Sequence, residues 1–137
     1  MPISLVADST ADLPAEIVER YSIRVVPSVL VVGGQSFLDG LDMTREEFYR
    51  RLPAFDPPPT TAAPAAGEFE AVYDSLPDGP ILSLHPAHTL TAIVNSARLG
   101  AERFGERVRI IDSGSLTLGL GWQIIAAAEV IAAGGAL

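Results

Sequence analysis

The sequence alternates short apolar segments with segments of helical periodicity, and this alternation constrains the fold more than any other feature. The first apolar segment, residues 3–7, is apolar on both faces and leads through turn residues to a helix that begins near Pro14. Three further segments predict strands of the same kind: residues 23–26, 80–85 and 107–112. Strands that alternate with helices predict an α/β fold with a mainly parallel sheet of about four strands.

The segment between the second and third of these strands predicts a β-hairpin. Gly33, Gly34 and Gln35 have turn composition and separate two apolar segments. Thr44 and Glu47 then have the spacing of a capping box at the start of a helix. Helical spacing recurs in three later segments: residues 67–76, 90–104 and 116–133. The expected architecture is a layered α-β-α domain with a four-stranded parallel sheet and one hairpin.

A proline-rich stretch, residues 57–73, reads PPPTTAAPAAGEFEAVY and has the composition of a stiff connection. Thr60 and Thr61 nevertheless lie in a predicted loop that leads into a helix. Helix starts favour anions because their first backbone N–H groups have no partner within the helix. The stretch is therefore either a spacer or one wall of a binding site.

Polar residues follow three of the predicted strands. They occur at Asp8 to Thr10, at His85 to Thr91 and at Asp112 to Ser115. Because the carboxyl ends of parallel strands share one edge of a sheet, we expect these side chains to face one pocket. Capping explains many of them without a ligand, and we expect Asp8 and Asp112 to hold loop backbone.

Charge and composition exclude several functions. A net charge of −8 without a basic cluster argues against nucleic-acid binding. The sequence has no cysteine, and His85 and His88 lie three apart outside any predicted helix, so we expect no metal site. The first ten residues lack the features of a signal peptide, which makes the cytoplasm the expected compartment.

Motifs for catalysis are scarce, and no phosphate-binding glycine motif or nucleophile elbow is present. Ser9, His88 and Asp112 could meet at the sheet edge as a serine–histidine–aspartate arrangement. A small-molecule hydrolase or phosphotransferase that uses Asp8, Ser9 or His88 is therefore the alternative function, by analogy at the level of the fold.

The last predicted helix, over residues 116–133, is apolar on nearly all sides. Gln123, Glu129 and several glycines argue against a membrane span, so we expect one face to cover the sheet. The opposite face implies a partner, which is a second domain, another copy of the chain or a long apolar ligand. A structural or regulatory domain that uses this face as an interface is a third hypothesis.

Five segments together resemble the DegV family of bacterial fatty-acid-binding proteins. They follow one another in the order and spacing of that family: VADSTADLP at residues 6–14, VVPSVLVVGGQSFLDGLDMTREEFYRRL at 25–52, TAAPAAGEF at 61–69, HTLTAIVNSA at 88–97 and VRIIDSGSLTLGLGWQIIAAAEVIAAG at 108–134. The resemblance implies a two-domain fold, of which residues 1–137 are the N-terminal α/β domain, with the C-terminal domain absent from this chain.

The resemblance also implies a function. Members hold a long-chain fatty acid between their two domains and present its carboxylate to a separate fatty-acid kinase subunit. They are carriers without catalytic residues or cofactors of their own. We therefore expect fatty-acid binding and no enzyme activity, with the missing domain or another copy of the chain packed against the helix over residues 116–133.

The family motifs assign the head-group contacts to particular residues. The carboxylate is held by hydroxyls at the positions of Thr61 and Thr91. Ala92 replaces a family glycine, Ile93 a threonine and His88 a serine, so Ala92 is strained if that glycine has a positive φ. The expected ligand-binding residues are Thr61, Thr91, Ala92, His88, Ser9 and Ile93.

Overall fold

The computed structural model describes residues 1–137 and contains two β-sheets. The strands are β1 (Ser4–Asp8), β2 (Arg24–Val26), β3 (Val29–Val32), β4 (Gln35–Leu38), β5 (Thr60–Ala62), β6 (Ile81–His85) and β7 (Val108–Asp112). The main sheet has the order β2-β1-β6-β7, and all its neighbouring pairs are parallel. The predicted four-stranded parallel sheet is confirmed.

Five α-helices connect and cover the strands. They are α1 (Ala15–Arg20), α2 (Arg45–Arg51), α3 (Ala66–Ser75), α4 (Ile93–Ala101) and α5 (Leu118–Ala132). Helix α4 is shorter than the predicted residues 90–104. It begins later because the N–H groups of Leu90 and Thr91 both bind the Ala87 carbonyl in a separate turn. At its other end the chain continues as a 3-10 helix, Glu102–Arg107.

The sheet has a hydrophobic core on each face, as a layered α-β-α domain requires. Successive residues of a strand point to opposite faces, so Val6 joins one core while Leu5 and Ala7 join the other. The first core contains Phe69 of α3 and residues of α4. The second contains residues of α5, with α1 packed against it. Burial on both faces explains why these strands are apolar throughout.

The second sheet has the order β4-β3-β5 and is antiparallel. The hairpin β3–β4 was predicted, but β5 was not, because Thr60 and Thr61 were assigned to a loop. In the structure Thr61 pairs with Leu30 and Thr60 pairs with Val31. A three-residue strand next to prolines has too short a local pattern to be recognised, and it forms here because β3 offers it an edge.

The predicted capping box at α2 is only half formed. The Thr44 hydroxyl accepts a hydrogen bond from the Glu47 N–H at 3.1 Å, as expected for an N-cap. The Glu47 carboxylate, however, accepts from Arg51 at 3.0 Å on the exposed face of the helix. Its pairing with the cationic side chain one turn later replaces the reciprocal half of the box.

Helix α5 covers the sheet with one face and exposes apolar side chains on the other. Leu120, Ile124 and Ala128 are buried, whereas Trp122 is 68% exposed and Val130 is 58% exposed. No helix in the protein combines the length and the apolar content needed to cross a membrane. The exposed apolar face of α5 agrees with the expectation from sequence.

Candidate functional site

The carboxyl ends of β1, β6 and β7 lie side by side at one edge of the main sheet. His85 at the end of β6 is in register with Asp112 at the end of β7, and β1 is the neighbour of β6 on its other side. The hydroxyl-rich turns therefore start from one edge, as the sequence predicted. This edge is where ligands bind in open α/β sheets.

A cavity of about 390 Å³, which we call the hydroxyl-lined cavity, opens at this edge. Four hydroxyl-bearing residues line it, each from a different segment: Thr10, Ser28, Thr61 and Thr91. The apolar part of the wall includes Leu30, Ala63, Leu90 and Ile93. The cavity thus combines several polar side chains with apolar surface, which is the usual composition of a site for an amphipathic small molecule.

Different elements of the fold place Thr61 and Thr91 at the cavity. Thr61 is an exposed residue of β5, held by pairing with Leu30 of β3. Thr91 precedes α4, and its hydroxyl oxygen accepts a hydrogen bond from the Ile93 N–H at 3.1 Å. The O–H of Thr91 is still available as a donor, because a hydroxyl donates and accepts at once.

Ala92 and Ile93 also line the cavity. Ala92 has φ −85° and ψ 0°, a conformation open to any L-residue, so the strain considered for an alanine at this position is absent. Ile93 is the first residue of α4, and its side chain is 3% exposed within the core. Ile93 therefore shapes the apolar wall and also donates its N–H to Thr91.

Ser9 lies outside the wall of the hydroxyl-lined cavity. Its buried hydroxyl accepts a hydrogen bond from the Ser28 N–H at 3.0 Å and so holds the chain just before β3. It does line an adjoining space of about 200 Å³ that is shared with Thr61. Ser9 therefore holds the backbone of Ser28, which is a residue of the cavity wall.

His88 lies on the surface next to Asp112. The Nδ1 atom of His88 is 2.6 Å from Asp112 Oδ2, and 62% of the histidine side chain is exposed. A backbone N–H from Gly114, together with the bond from His88, lowers the pKa of Asp112. The Ser9–His88–Asp112 arrangement considered from sequence is not formed, because His88 bonds Asp112 but no hydrogen bond joins His88 to Ser9.

A buried chain of hydrogen bonds lies beneath the site, and sequence reasoning missed it. Asp8 Oδ2 lies 2.7 Å from His85 Nδ1, His85 Nε2 lies 2.7 Å from the Ser83 hydroxyl, and that hydroxyl lies 2.9 Å from the Tyr73 hydroxyl. Burial raises the pKa of Tyr73 to about 12. Asp8 and His85 are 77 residues apart in sequence, so no local pattern signals their contact.

The buried chain does not form an accessible catalytic group. Ser83 and His85 are fully buried in the middle of the fold, and a substrate cannot reach either side chain. Asp8 also accepts hydrogen bonds from the N–H and the hydroxyl of Thr10. It therefore holds loop backbone, as expected, and it fixes a residue of the cavity wall. No cluster of three or more potential metal ligands is present.

Asp39 and Arg45 set the charge near the cavity. Asp39 lines the cavity, and its Oδ2 lies 3.9 Å from Arg45 Nη2. Arg45 also donates to the Ser9 carbonyl at 2.7 Å and forms an ion pair with Asp12. Burial works against the guanidinium charge, but Asp12 and Asp39 outweigh it and raise the pKa of Arg45. Arg45 thus offsets the negative charge of Asp39.

Comparisons with known proteins give matches over nearly the whole chain. The sequence model of an uncharacterised protein family, the DegV family, matches residues 2–137. A DegV domain-containing protein of Deinococcus radiodurans is 36% identical over 136 residues, which are 98% of this chain and 48% of that protein. The chain therefore spans about half the length of this curated relative.

Two solved structures share the fold closely. A fatty-acid-binding DegV family protein from Thermus thermophilus has a TM-score of 0.89 and 34% identity, over 100% of this chain and 50% of that one. A Thermotoga maritima protein whose structure revealed a fatty-acid-binding function has a TM-score of 0.90 and 26% identity, over 100% and 51% of the two chains.

The protein has a layered α/β fold, and a small antiparallel sheet lies beside the carboxyl ends of its parallel strands. These features define its class as an α/β domain with a ligand-sized cavity at the strand ends. The particular family follows from the match over nearly every residue. The chain belongs to the DegV family.

Proposed function

We propose that this protein binds a long-chain fatty acid and that Thr61 and Thr91 hold its carboxylate. The observation that carries the proposal is that these two threonines, from separate segments of the chain, line one cavity with apolar walls. The fatty-acid binding described for the Thermus thermophilus and Thermotoga maritima proteins supports the choice of ligand.

The polar end of the cavity suits a carboxylate. Thr61 and Thr91 each offer an O–H donor, and a hydrogen bond to a charged group contributes about 1.5–3 kcal/mol. The start of α4 lies at the same wall, where the helix dipole and free N–H groups favour a negative charge. Asp39 opposes an anion, but Arg45 offsets its charge. We also propose that His88, at the surface in the same connection between β6 and α4 as Thr91, donates to the carboxylate.

The apolar end of the cavity is too small to enclose a long acyl chain alone. At about 390 Å³ it is at the lower end of the range for small-molecule sites. We propose that the rest of the acyl chain is covered by a second domain or by another copy of the chain, packed against the exposed face of α5. The relatives, which are about twice as long, are consistent with the first arrangement.

The proposed role is that of a carrier and not an enzyme. The bound carboxylate would be presented to a separate fatty-acid kinase, which performs the phosphoryl transfer in the cytoplasm. The existing contacts of Asp8 and Ser9 support this choice over a hydrolase. The Asp8 carboxylate binds His85 and Thr10, and the Ser9 hydroxyl accepts from the Ser28 N–H and has no histidine partner.

Ligand binding by the protein, at the full length that its gene encodes, tests the proposal. Delipidated protein is titrated with oleate and palmitate by calorimetry, and bound lipid from purified protein is identified by mass spectrometry. Thr61→Ala is expected to weaken binding about tenfold, as loss of one hydrogen bond to a charged group predicts, whereas Thr61→Ser retains affinity.

Thr60→Ala is the matched control. Thr60 is the neighbour of Thr61 in β5, and successive strand residues point to opposite faces, so its loss is expected to leave affinity unchanged. Wild-type protein that carries no acyl chain and binds neither fatty acid would overturn the proposal. Equal affinities for wild type and Thr61→Ala would reject the assigned head-group contact.

A further inference from the structure

Ser28 is a buried serine in the wall of the hydroxyl-lined cavity. The residue is 7% exposed, and its hydroxyl is the one buried side-chain polar atom of the protein without a hydrogen-bond partner. Buried polar groups are nearly always paired, because an unpaired one loses its hydrogen bonds to water without replacement. An unpaired hydroxyl at a cavity wall therefore points to a missing partner.

The backbone of Ser28 is firmly held, so only its side chain is free to adjust. Its N–H donates to the Ser9 hydroxyl at 3.0 Å, and its carbonyl accepts from the Asp39 N–H at 2.9 Å. The remaining freedom is rotation about the Cα–Cβ bond, which moves the hydroxyl oxygen between three staggered positions. The hydroxyl can thus turn toward the cavity without any movement of the main chain.

The position of Ser28 places it beside the proposed head-group contacts. Ser28 and Leu30 are two residues apart on an extended segment, so their side chains lie on the same face, and both line the cavity. Leu30 is in register with Thr61 of β5. Thr91 lines the same cavity from the start of α4. Three hydroxyl-bearing residues, Ser28, Thr61 and Thr91, therefore line one cavity.

We infer that Ser28 is a third hydroxyl contact for the ligand carboxylate and adds to the preference for a charged head group that Thr61 and Thr91 create. On binding, its side chain turns into the cavity and donates to a carboxylate oxygen beside Thr61 and Thr91. This inference rests on the proposed function and adds a residue to it. The ligand carboxylate supplies an acceptor for the Ser28 hydroxyl, so binding gains one hydrogen bond to a charged group.

The test compares Ser28→Ala with wild type on two ligands, oleate and methyl oleate. Both have the same acyl chain, but only oleate has a charged carboxylate. Ser28→Ala is expected to weaken oleate binding about tenfold, by the loss of one hydrogen bond to a charged group, and to change methyl oleate binding much less. The melting temperature of the free variant is expected to be equal or higher, because alanine removes an unpaired buried hydroxyl.

Ser36→Ala is the matched control, since Ser36 is an exposed serine of β4 that does not line the cavity. An unchanged oleate affinity in Ser28→Ala, together with weaker binding by Thr61→Ala, overturns the inference and leaves the proposed function standing. Equal weakening for oleate and methyl oleate also overturns it, because it assigns Ser28 to packing. Absence of oleate binding by wild-type protein overturns the proposed function, and the inference with it.

Discussion

The Nδ1 atom of His85 lies 2.7 Å from Oδ2 of Asp8, and both side chains are completely buried. The contact joins the carboxyl ends of β1 and β6, which are adjacent strands of the main sheet. Asp8 in turn holds the N–H and the hydroxyl of Thr10, a residue of the cavity wall. The buried Asp8–His85 pair therefore holds Thr10 in its place in the cavity wall.

Removal of His85 is expected to destabilise the protein strongly. His85→Leu leaves Asp8 Oδ2 without a partner in the interior, and breaking a buried pair in this way costs about 3–5 kcal/mol. His88→Leu is the matched control, because His88 also binds an aspartate but on the surface, where such pairs contribute little to stability. Urea unfolding at neutral pH measures both, and similar losses for the two variants would contradict the assigned role of burial.

Tyr73 is expected to make stability fall in alkaline solution. Its pKa is about 12 in the folded protein, chiefly through burial, and about 10 when exposed in the unfolded chain. The folded state thus resists ionisation of Tyr73. The contribution of the neutral phenol to the free energy of unfolding is complete below pH 10 and is lost as the pH rises to about 12. The sequence contains no lysine, which removes the commonest competing group.

Tyr73→Phe is the test of that pH dependence. At neutral pH the free energy of unfolding of the variant is expected to be about 1 kcal/mol lower than that of wild type, since Ser83 keeps only His85 as a partner. Between pH 10 and 12 the variant is expected to lose less stability than wild type. The unfolding free energy from urea titrations, measured at several pH values, gives both quantities. An alkaline decline of the same size in wild type and variant would exclude Tyr73 as its source.

Thr91 is expected to serve both stability and binding. Thr91→Val keeps the shape but removes the acceptor for the Ile93 N–H, and loss of that hydrogen bond should cost about 0.5–1.5 kcal/mol. It also removes a donor to the proposed carboxylate, so oleate affinity should fall about tenfold. Thr91→Ser retains both functions. Loss of stability without loss of affinity would limit Thr91 to holding the Ile93 N–H at the start of α4.

Asp112 is expected to contribute to stability at neutral pH and to lose that contribution in acid. Its pKa is lowered in the folded protein by the Gly114 N–H and by His88. Stability from this group is therefore present above the ordinary aspartate pKa and is lost as the pH falls through the lower folded value. Asp112→Asn should flatten the acid decline of the unfolding free energy relative to the exposed control Asp78→Asn, and an unchanged decline would contradict the contact.

Gly100 is expected to be essential for the packing of α4 on α3. A Cβ atom at this position would lie 2.5 Å from the Ala66 carbonyl oxygen and 2.8 Å from Phe69 Cβ. Gly100→Ala must separate the two helices and should cost about 1–3 kcal/mol. Gly67→Ala, in α3 with open space around it, should instead stabilise by about 0.5–1 kcal/mol through helix propensity. Thermal unfolding tests both predictions, since the melting temperature should fall for Gly100→Ala and rise for Gly67→Ala.

Much of the architecture was predictable because its signals are local. Apolar segments such as residues 3–7 are buried on both faces, and helical spacing marks the segments between strands. The edge on which Asp8, His85 and Asp112 lie follows from parallel pairing alone. Strand β5 could not be predicted in this way, since three residues contain no periodicity and its existence depends on the edge of β3.

The contacts of individual side chains depended on distant parts of the chain. The Asp8–His85 pair joins residues 77 positions apart, and nothing near either residue predicts it. The contact of Ser9 with Ser28 was not predicted, because it depends on the turn after β1 placing the Ser9 hydroxyl next to the backbone before β3. Ser28 itself carried no signal in the sequence, since an unpaired hydroxyl is defined only by what surrounds it.

The amino-acid sequence was enough to predict the layered α/β fold, the hairpin, the apolar last helix and the resemblance to the DegV family. These properties depend on local periodicity and on motifs read in order along the chain. The folded protein was needed to see that Thr61, Thr91 and Ser28 line one cavity, with Ser9 and His88 outside its wall. The physical reason is that a cavity forms only where separate strands and helix starts converge, so its lining depends on packing between segments far apart in sequence.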